Sequence, residues 1–223
     1  TMDTAKEVGG DFYDFYFVNK DTLAFLIADV SGKGIPAAMF MMNAKAVLKS
    51  YAESGLDVNK VFTLGNEKLC EGNDAGMFVT AWMGFLNTET GEVTFANAGH
   101  NPPLVRHGDG SFEYLKVRAG FVLAGMEGVK YRKNELQLAP GDVIYLYTDG
   151  VTEATNINDE LYGEDRLLAL LNANKEASME ELCKLVKEDV FAFAGEAPQF
   201  DDITMLALKY CGATAPTNQE EAL

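Results

Sequence analysis

Short strand-like segments joined by tight turns fill the middle of this chain and constrain its fold more than any other feature. The turns are Thr90-Gly91, Gly108-Asp109-Gly110 and Pro140-Gly141. Connections this short predict antiparallel pairing, because a parallel crossover needs a dozen or more residues. The predicted strands of this region are Phe78–Leu86, Val93–Ala98, Phe112–Val117, Asn134–Leu138 and Asp142–Thr148.

Helical patterns and further strands lie on either side of this region. A hairpin is predicted from Phe12–Val18 and Thr22–Ala28, with a turn-forming Asn-Lys-Asp between them, and a last strand at Ile203–Tyr210. Because strands and helices come in separate runs, the order predicts a layered α+β domain rather than a doubly wound parallel sheet. The predicted helices are Ala37–Tyr51, Val58–Cys70, Asp165–Asn172 and a segment that begins at the capping-box sequence Ser178-Met179-Glu180-Glu181.

The first predicted helix has apolar residues on more than one face. Met39 and Met42 lie off its main stripe. We expect them to fill gaps in the core, because methionine adapts to irregular packing, and contact with a partner is the alternative. The predicted core stripe is Phe40, Met41, Ala44, Val47, Leu48 and Tyr51.

Acidic residues follow two of the most apolar strands. Asp29 comes directly after the run that ends at Ala28, and Asp149 comes directly after the run that ends at Thr148. Asp11 and the pair Asp201-Asp202 flank two other predicted strands. A single Asp-Gly is usually a turn, but several such segments at the ends of strands favour one shared acidic site.

A cation is the simplest partner for such a site. Carboxylates that gather at the ends of buried strands repel one another and lose hydration. Lys33 is the one basic residue within the acidic segments. Oxygen ligands suit a hard divalent cation, so the pattern favours Mg²⁺ or Mn²⁺.

These motifs together resemble the metal-dependent protein phosphatase family of the type 2C kind. Within it, the chain resembles the bacterial branch that contains stage II sporulation protein E and the phosphatases that regulate sigma factors. The resemblance covers about residues 7–210, and the motifs come in the family's order. They are Val8-Gly9-Gly10-Asp11-Phe12-Tyr13-Asp14, Asp29-Val30-Ser31-Gly32-Lys33-Gly34-Ile35-Pro36-Ala37-Ala38, Ala98-Gly99-His100-Asn101-Pro102-Pro103, Tyr147-Thr148-Asp149-Gly150-Val151-Thr152-Glu153-Ala154 and Asp201-Asp202-Ile203-Thr204.

The resemblance implies a four-layer α-β-β-α sandwich, in which two antiparallel sheets pack face to face with helices outside. We expect residues 1–211 to form one catalytic domain and residues 212–223 to be a flexible tail. We also expect the domain to belong to a longer protein with a sensor or regulatory domain upstream.

The resemblance also assigns metal ligands. Asp29 would bridge two divalent cations, Mn²⁺ or Mg²⁺, and the backbone carbonyl of Val30 would bind one of them. Asp149 and Asp201 would hold the first cation, and Asp11 would lie on the side of the second. Two such cations, about 3.5–4 Å apart, can activate a shared water and clamp the attacking and leaving oxygens of a phosphate ester.

Roles outside this set are more open. Asp14, Asp202, Gly10 and Thr204 are candidates for supporting the ligands or for a third cation, and fixing the turns is the alternative for the two acids. The loop Ser31-Gly32-Lys33-Gly34 would approach the phosphate. For Lys33 the favoured interpretation is an exposed loop lysine.

His100 invites a role as general acid, although the resemblance favours a structural turn for its segment.

The composition excludes several classes of binding partner and metal site. The net charge of −16 argues against nucleic acid and anionic membranes, which are polyanions. With only His100 and His107, and with no paired spacing among Cys70, Cys183 and Cys211, neither a zinc site nor a disulfide framework is predicted. We expect this domain to be cytoplasmic, in a full-length protein that could be membrane-anchored.

Function follows from the resemblance. The chain would hydrolyse phosphoserine or phosphothreonine on a protein, and the family's typical substrate is an anti-sigma-factor antagonist in a partner-switching pathway. An upstream regulatory domain and a homodimer contact are the further partners considered. The alternative is a catalytically weak or inactive domain that keeps the fold and regulates a signalling partner by docking.

Overall fold

The computed structural model describes residues 1–213. Its strands are β1 (Met2–Asp3), β2 (Phe12–Asn19), β3 (Thr22–Val30), β4 (Val79–Asn87), β5 (Glu92–Ala98), β6 (Leu104–Arg106), β7 (Phe112–Tyr114), β8 (Asn134–Gln137), β9 (Val143–Tyr147) and β10 (Ile203–Lys209). Its helices are α1 (Ile35–Glu53), α2 (Val58–Cys70), α3 (Asp149–Thr152), α4 (Glu164–Ala173) and α5 (Met179–Ala194).

The strands form two five-stranded sheets. The first sheet has the order β2-β3-β4-β5-β8, and the second has the order β1-β10-β9-β6-β7. Neighbouring strands within each sheet pair antiparallel. The prediction of antiparallel pairing from short connections is therefore confirmed.

A layer of large side chains separates the two sheets. Trp82 stacks on Phe95 with ring centroids 5.2 Å apart, and Phe25 packs against Trp82 at 5.3 Å. Ile144 and Leu146 of β9 contribute from the opposite sheet. Alternate side chains of a strand point to opposite faces of its sheet. These residues point to the inner face, where they are buried between the two sheets.

Helices cover the outer face of each sheet. The cluster that contains Leu26 and Ala28 of β3 packs against α1 and α2. The cluster that contains Tyr145 and Met205 packs against α4 and α5. The predicted four-layer α-β-β-α sandwich is confirmed.

The core stripe predicted for α1 is confirmed, but the core prediction for its two outer methionines is wrong. Ala44 and Leu48 are fully buried. Met39 and Met42 are 68% and 67% exposed. The side of α1 that carries Ala44 and Leu48 packs on the sheet, and the two methionines lie on the solvent side.

Three elements were absent from the predictions. β1 and β6 are two and three residues long, too short for a periodic pattern. α3 begins at Asp149, which was interpreted as the start of a loop. The strand predicted over Phe112–Val117 ends at Tyr114.

Other predictions have simple outcomes. The Ser178 hydroxyl accepts a hydrogen bond of 3.2 Å from the Glu181 amide, which confirms the cap of α5. Cys70, Cys183 and Cys211 are free thiols. Among residues 1–213, no helix is long and apolar enough to cross a membrane. Residues 214–223 of the predicted tail lie outside the part of the chain that the structure describes.

Candidate functional site

Strand alternation directs Asp29 into the space between the two sheets. Phe25 and Ile27 belong to the cluster between the sheets, while Leu26 and Ala28 belong to the cluster under the helices. Asp29 continues the series of Phe25 and Ile27, one residue before β3 ends. It therefore lies at one end of the inter-sheet layer.

Asp11 and Thr148 join the two sheets at this same end. The Thr148 hydroxyl, directly after β9, donates a hydrogen bond of 2.7 Å to Asp11 Oδ2, directly before β2. The same hydroxyl accepts a bond of 3.1 Å from the Thr204 amide of β10. The Thr204 hydroxyl is also buried at this site and, like that of Thr148, lowers the pKa of Asp11.

Burial and mutual repulsion make the ionised carboxylates of this site costly. The pKa of Asp11 is raised well above its usual value, first by burial and then by Asp29. Burial, followed by Asp149, raises the pKa of Asp29 to about 7. The pKa of Asp149 is also raised, by burial and then by Glu153 and Asp201. A nearby cation would relieve all three groups.

Asp202 holds the chain segment that carries Asp11. Its Oδ1 accepts a hydrogen bond of 2.8 Å from the Ala5 amide. Its Oδ2 accepts bonds of 2.8 Å and 3.3 Å from the amides of Gly10 and Asp11. Both oxygens are therefore engaged by backbone, and the contacts assign Asp202 a positioning role.

Two glycines let backbone segments approach closely around these acids. A Cβ at Gly150 would lie 1.9 Å from the Asp202 carbonyl oxygen. A Cβ at Gly10 would lie 2.9 Å from the Val30 carbonyl oxygen, the predicted backbone ligand. Both distances are below van der Waals contact, so glycine is required at these positions.

Lys33 pairs with Asp201 rather than extending into solvent. Its ammonium lies 3.0 Å from Asp201 Oδ2 and 3.5 Å from the centre of the Phe200 ring. It also donates a hydrogen bond to the Phe200 carbonyl. The expectation of an exposed loop lysine is wrong. The loop that follows Asp29 instead closes onto the segment before β10.

The rest of that loop is also fixed. Ser31 exchanges two hydrogen bonds of 2.9 Å with the backbone of Phe78. Gly32 and Gly34 have φ angles of 86° and 74°, which side chains other than glycine rarely adopt.

Asp14 lies outside the cluster. Its Oδ2 is 3.5 Å from the Lys45 ammonium of α1, and its Oδ1 accepts a bond from the Phe15 amide. Along the strand, the side chain of Asp14 points to the face opposite to that of Asp11. It shares this face, which is turned to the helices, with Phe12. The contacts therefore support a local structural role.

His100 is a structural residue of its turn. Its Nδ1 lies 2.9 Å from the Thr80 hydroxyl, and Asn97 bonds both its amide and its carbonyl. Burial lowers the pKa of His100 to about 4. A buried ring that is neutral at pH 7 is a poor proton donor, so the geometry supports the structural interpretation.

The donor chemistry fits divalent cations, although the acids do not already form a closed binding group. Within the described part of the chain, no three His, Cys, Asp or Glu side chains form a group that could hold a metal ion. Lys33 engages Asp201, and backbone amides engage Asp202. The remaining oxygen donors, including the Val30 carbonyl, are those that Mg²⁺ and Mn²⁺ prefer.

Sequence reasoning missed the role of Thr148, whereas support of the ligands was already one of the roles considered for Asp202. Thr148 was interpreted as the last residue of a strand, and its hydrogen bond to Asp11 spans 137 positions. Only the neighbouring Asp149 signalled its position at the site.

Comparison with known proteins places this chain in a family. The family described as Stage II sporulation protein E (SpoIIE) matches residues 19–210. The chain belongs to the SpoIIE family. The predicted resemblance is confirmed, and divalent metals are generally used by phosphatases of this fold.

Two curated proteins resemble this SpoIIE-family chain at 32% identity. One is Protein IcfG of Synechocystis sp., where the match covers 93% of this chain and 37% of the relative. The other is Phosphoserine phosphatase RsbU of Bacillus subtilis, where the match covers 92% of this chain and 60% of the relative. The chain therefore spans less than two thirds of either relative.

Solved structures share the SpoIIE-family fold. The RsbU and RsbW domains of Rv1364c from Mycobacterium tuberculosis match with a TM-score of 0.82 at 25% identity, over 94% of this chain and 57% of that one. The SiaA-PP2C domain of Pseudomonas aeruginosa also matches with a TM-score of 0.82, at 24% identity. This match covers 94% of this chain and 84% of that one.

Proposed function

We propose that this chain is a divalent-metal-dependent serine/threonine phosphoprotein phosphatase. The observation that carries the proposal is the convergence of Asp11, Asp29 and Asp149 at one end of the two sheets, where Asp29 raises the pKa of Asp11 and Asp149 raises the pKa of Asp29. The SpoIIE family match and the name of RsbU, a phosphoserine phosphatase, support this reaction class.

The proposed ligands are Asp29, the Val30 carbonyl, Asp149 and Asp201, with Asp11 on the second cation's side. When bound, the cations would supply an activated water and neutralise the phosphoryl oxygens. No histidine, cysteine or serine nucleophile is required for this chemistry. That agrees with the buried, neutral state of His100.

Other side chains would orient the ligands. Thr148 directs Asp11 Oδ2 by its hydrogen bond, which favours the ionised carboxylate that a cation needs. Asp202 fixes the backbone of Gly10 and Asp11. Lys33 would have to leave Asp201 before that carboxylate could bind a cation fully.

The proposed substrate is a phosphoserine or phosphothreonine on a small regulatory protein. We propose an anti-sigma-factor antagonist in a partner-switching pathway, which follows from the likeness to RsbU and to the RsbU and RsbW domains of Rv1364c. A sensor domain upstream would fit the fraction of each relative that the chain spans.

A docking module is the second candidate. The observation that favours it is the ion pair between Lys33 and Asp201, which engages a proposed ligand. In such a module the domain would bind the phosphoprotein without turning it over.

Phosphate release distinguishes the two. Native protein, Asp149→Asn and the exposed control Asp109→Asn are assayed on p-nitrophenyl phosphate and on a phosphoserine protein, with Mn²⁺, Mg²⁺ or EDTA. The phosphatase proposal expects metal-dependent release in native protein and Asp109→Asn, and its loss in Asp149→Asn. Equal rates in native protein and Asp149→Asn would contradict it. Binding of the phosphoprotein without release under any condition would favour the docking module.

A further inference from the structure

The segment between β7 and β8 is a basic island in an acidic protein. Residues 116–133 contain five basic residues and one acidic residue, whereas the whole chain has a net charge of −16. The basic residues are Lys116, Arg118, Lys130, Arg132 and Lys133, and the acidic residue is Glu127.

Three of these cations converge on one pocket. Arg118, Lys130 and Arg132 line a concavity of about 230 Å³, together with Phe121, which is 50% exposed. Among residues 1–213, none of the three forms an ion pair or a side-chain hydrogen bond, whereas the neighbouring Lys133 lies 3.8 Å from Asp57. Their charges are therefore available to a ligand.

The wall of the pocket is fixed by packing beneath it. Tyr131, between two of the cations, is buried and donates a hydrogen bond of 3.1 Å to the Val122 carbonyl. Leu123 is fully buried and exchanges backbone hydrogen bonds of 2.8 and 2.9 Å with Val79. The Gly120 amide bonds the Asn97 carbonyl at 2.8 Å. A ligand would therefore meet a preformed surface.

The pocket lies at the same end of the first sheet as the acidic site. Asp29 pairs with Thr80 across β3 and β4. The next backbone pairings along this end join Ala81 to Gly99 and Ala98 to Gly120. Three steps of about 4.8 Å each place Gly120 about 15 Å from Asp29.

We propose that this pocket binds an acidic segment of the phosphoprotein substrate while its phosphorylated residue lies in the acidic site. The inference rests on the proposed phosphatase function for the identity of the ligand. Charge complementarity supports it, because a chain with a net charge of −16 repels an acidic partner as a whole, whereas this pocket carries three cations. Exposed cations would add affinity that weakens with salt. The separation of about 15 Å corresponds to four or five extended residues.

Paired peptides test the proposal. Two phosphoserine peptides are compared that differ only in a run of four glutamates or four glutamines, placed about five residues from the phosphoserine. Binding is measured by fluorescence anisotropy with unphosphorylated versions of the two peptides, which the protein cannot hydrolyse. The test variant is the triple substitution Arg118→Gln, Lys130→Gln and Arg132→Gln. The control variant, with the same charge change, carries Lys20→Gln, Lys68→Gln and Lys184→Gln, which are surface lysines with acidic neighbours.

The expected result is a preference of about tenfold for the glutamate peptide, because several exposed charge contacts act together. The preference should appear in binding and in KM, disappear in the test variant and persist in the control. Rates on p-nitrophenyl phosphate should not change.

Equal binding of the two peptides to native protein, or an unchanged preference in the test variant, would overturn the inference. Preferential binding without hydrolysis of any phosphoester would instead contradict the proposed function and leave the docking pocket standing.

Discussion

Thr148 of the second sheet donates a hydrogen bond of 2.7 Å to Asp11 of the first sheet, at the end where both sheets present acidic residues. Both residues are buried. The bond lowers the cost of ionising Asp11, which burial and Asp29 raise. One hydroxyl therefore ties the architecture of the sandwich to the charge state of the site.

Removing this hydroxyl should destabilise the fold. Thr148→Val removes one donor from the buried Asp11 carboxylate and leaves the Thr204 amide without this acceptor. The free energy of unfolding should fall by about 1–3 kcal/mol, measured by urea denaturation. Thr148→Ser is the matched control and should keep most of the stability, because it retains the hydroxyl. Equal losses in the two variants would show that packing, and not the hydrogen bond, matters.

The metal-free protein should lose stability as the pH rises. Burial and then Asp149 raise the pKa of Asp29 to about 7, so the folded state retains a proton that the unfolded state has released. The stabilisation is fully present below the usual pKa of Asp29 and is lost as the pH rises through about 7. The free energy of unfolding in EDTA should therefore be higher at pH 5.5 than at pH 8.

Asp29→Asn isolates this effect. The neutral amide should make the metal-free protein more stable at pH 8 by about 2 kcal/mol and reduce the pH dependence, of which Asp11 and Asp149 carry the rest because their pKa values are also raised. Asp142 and Asp189 do not interfere. Their pKa values are lowered, so the stabilisation that they give the fold is lost only at more acidic pH. A slope that is unchanged in Asp29→Asn would mean that Asp29 does not contribute to the pH dependence.

Gly150→Ala should be far more damaging than an ordinary glycine substitution. The new Cβ would lie 1.9 Å from the Asp202 carbonyl oxygen, so α3 must move away from the segment before β10. Overpacking of this kind costs about 1–3 kcal/mol or more. Gly128→Ala is the control, because its Cβ meets nothing within 4 Å and the residue has a φ of 75°. It should cost about 1 kcal/mol from backbone strain alone. Similar unfolding free energies for the two variants would contradict the close approach.

Lys33→Met should strengthen metal binding. The ammonium competes with a cation for Asp201, and releasing a partly exposed ion pair should raise affinity by up to about fivefold. Isothermal titration with Mn²⁺ measures this. Lys45→Met removes the comparable pair with Asp14, away from the site, and should leave the affinity unchanged. Weaker binding in Lys33→Met alone would mean that Lys33 supports the site instead of competing.

The sequence predicted most of the sandwich because its signals are local. Turn residues and apolar runs located the long strands, and the buried strand β3 carries Asp29 at its end as expected. The position of acidic segments at the ends of strands predicted that they share one site, and the resemblance added the architecture that joins residues far apart in the chain.

The remaining features depend on tertiary packing. Met39 and Met42 fit a helix core by composition, but the sheet packs against only one face of α1, and these two residues lie on the other. Lys33 meets Asp201, 168 positions away, only after the β3 loop closes onto the segment before β10. The hydrogen bond from Thr148 to Asp11 likewise requires both sheets to be assembled.

Anomalous diffraction from crystals grown with Mn²⁺ tests the central claim most directly. The proposal predicts manganese between the two sheets, bound by Asp29, Asp149 and Asp201 with Asp11 nearby, and Lys33 released from Asp201. Crystals with saturating Mn²⁺ but no anomalous density at these carboxylates, and with Lys33 still paired to Asp201, would contradict it.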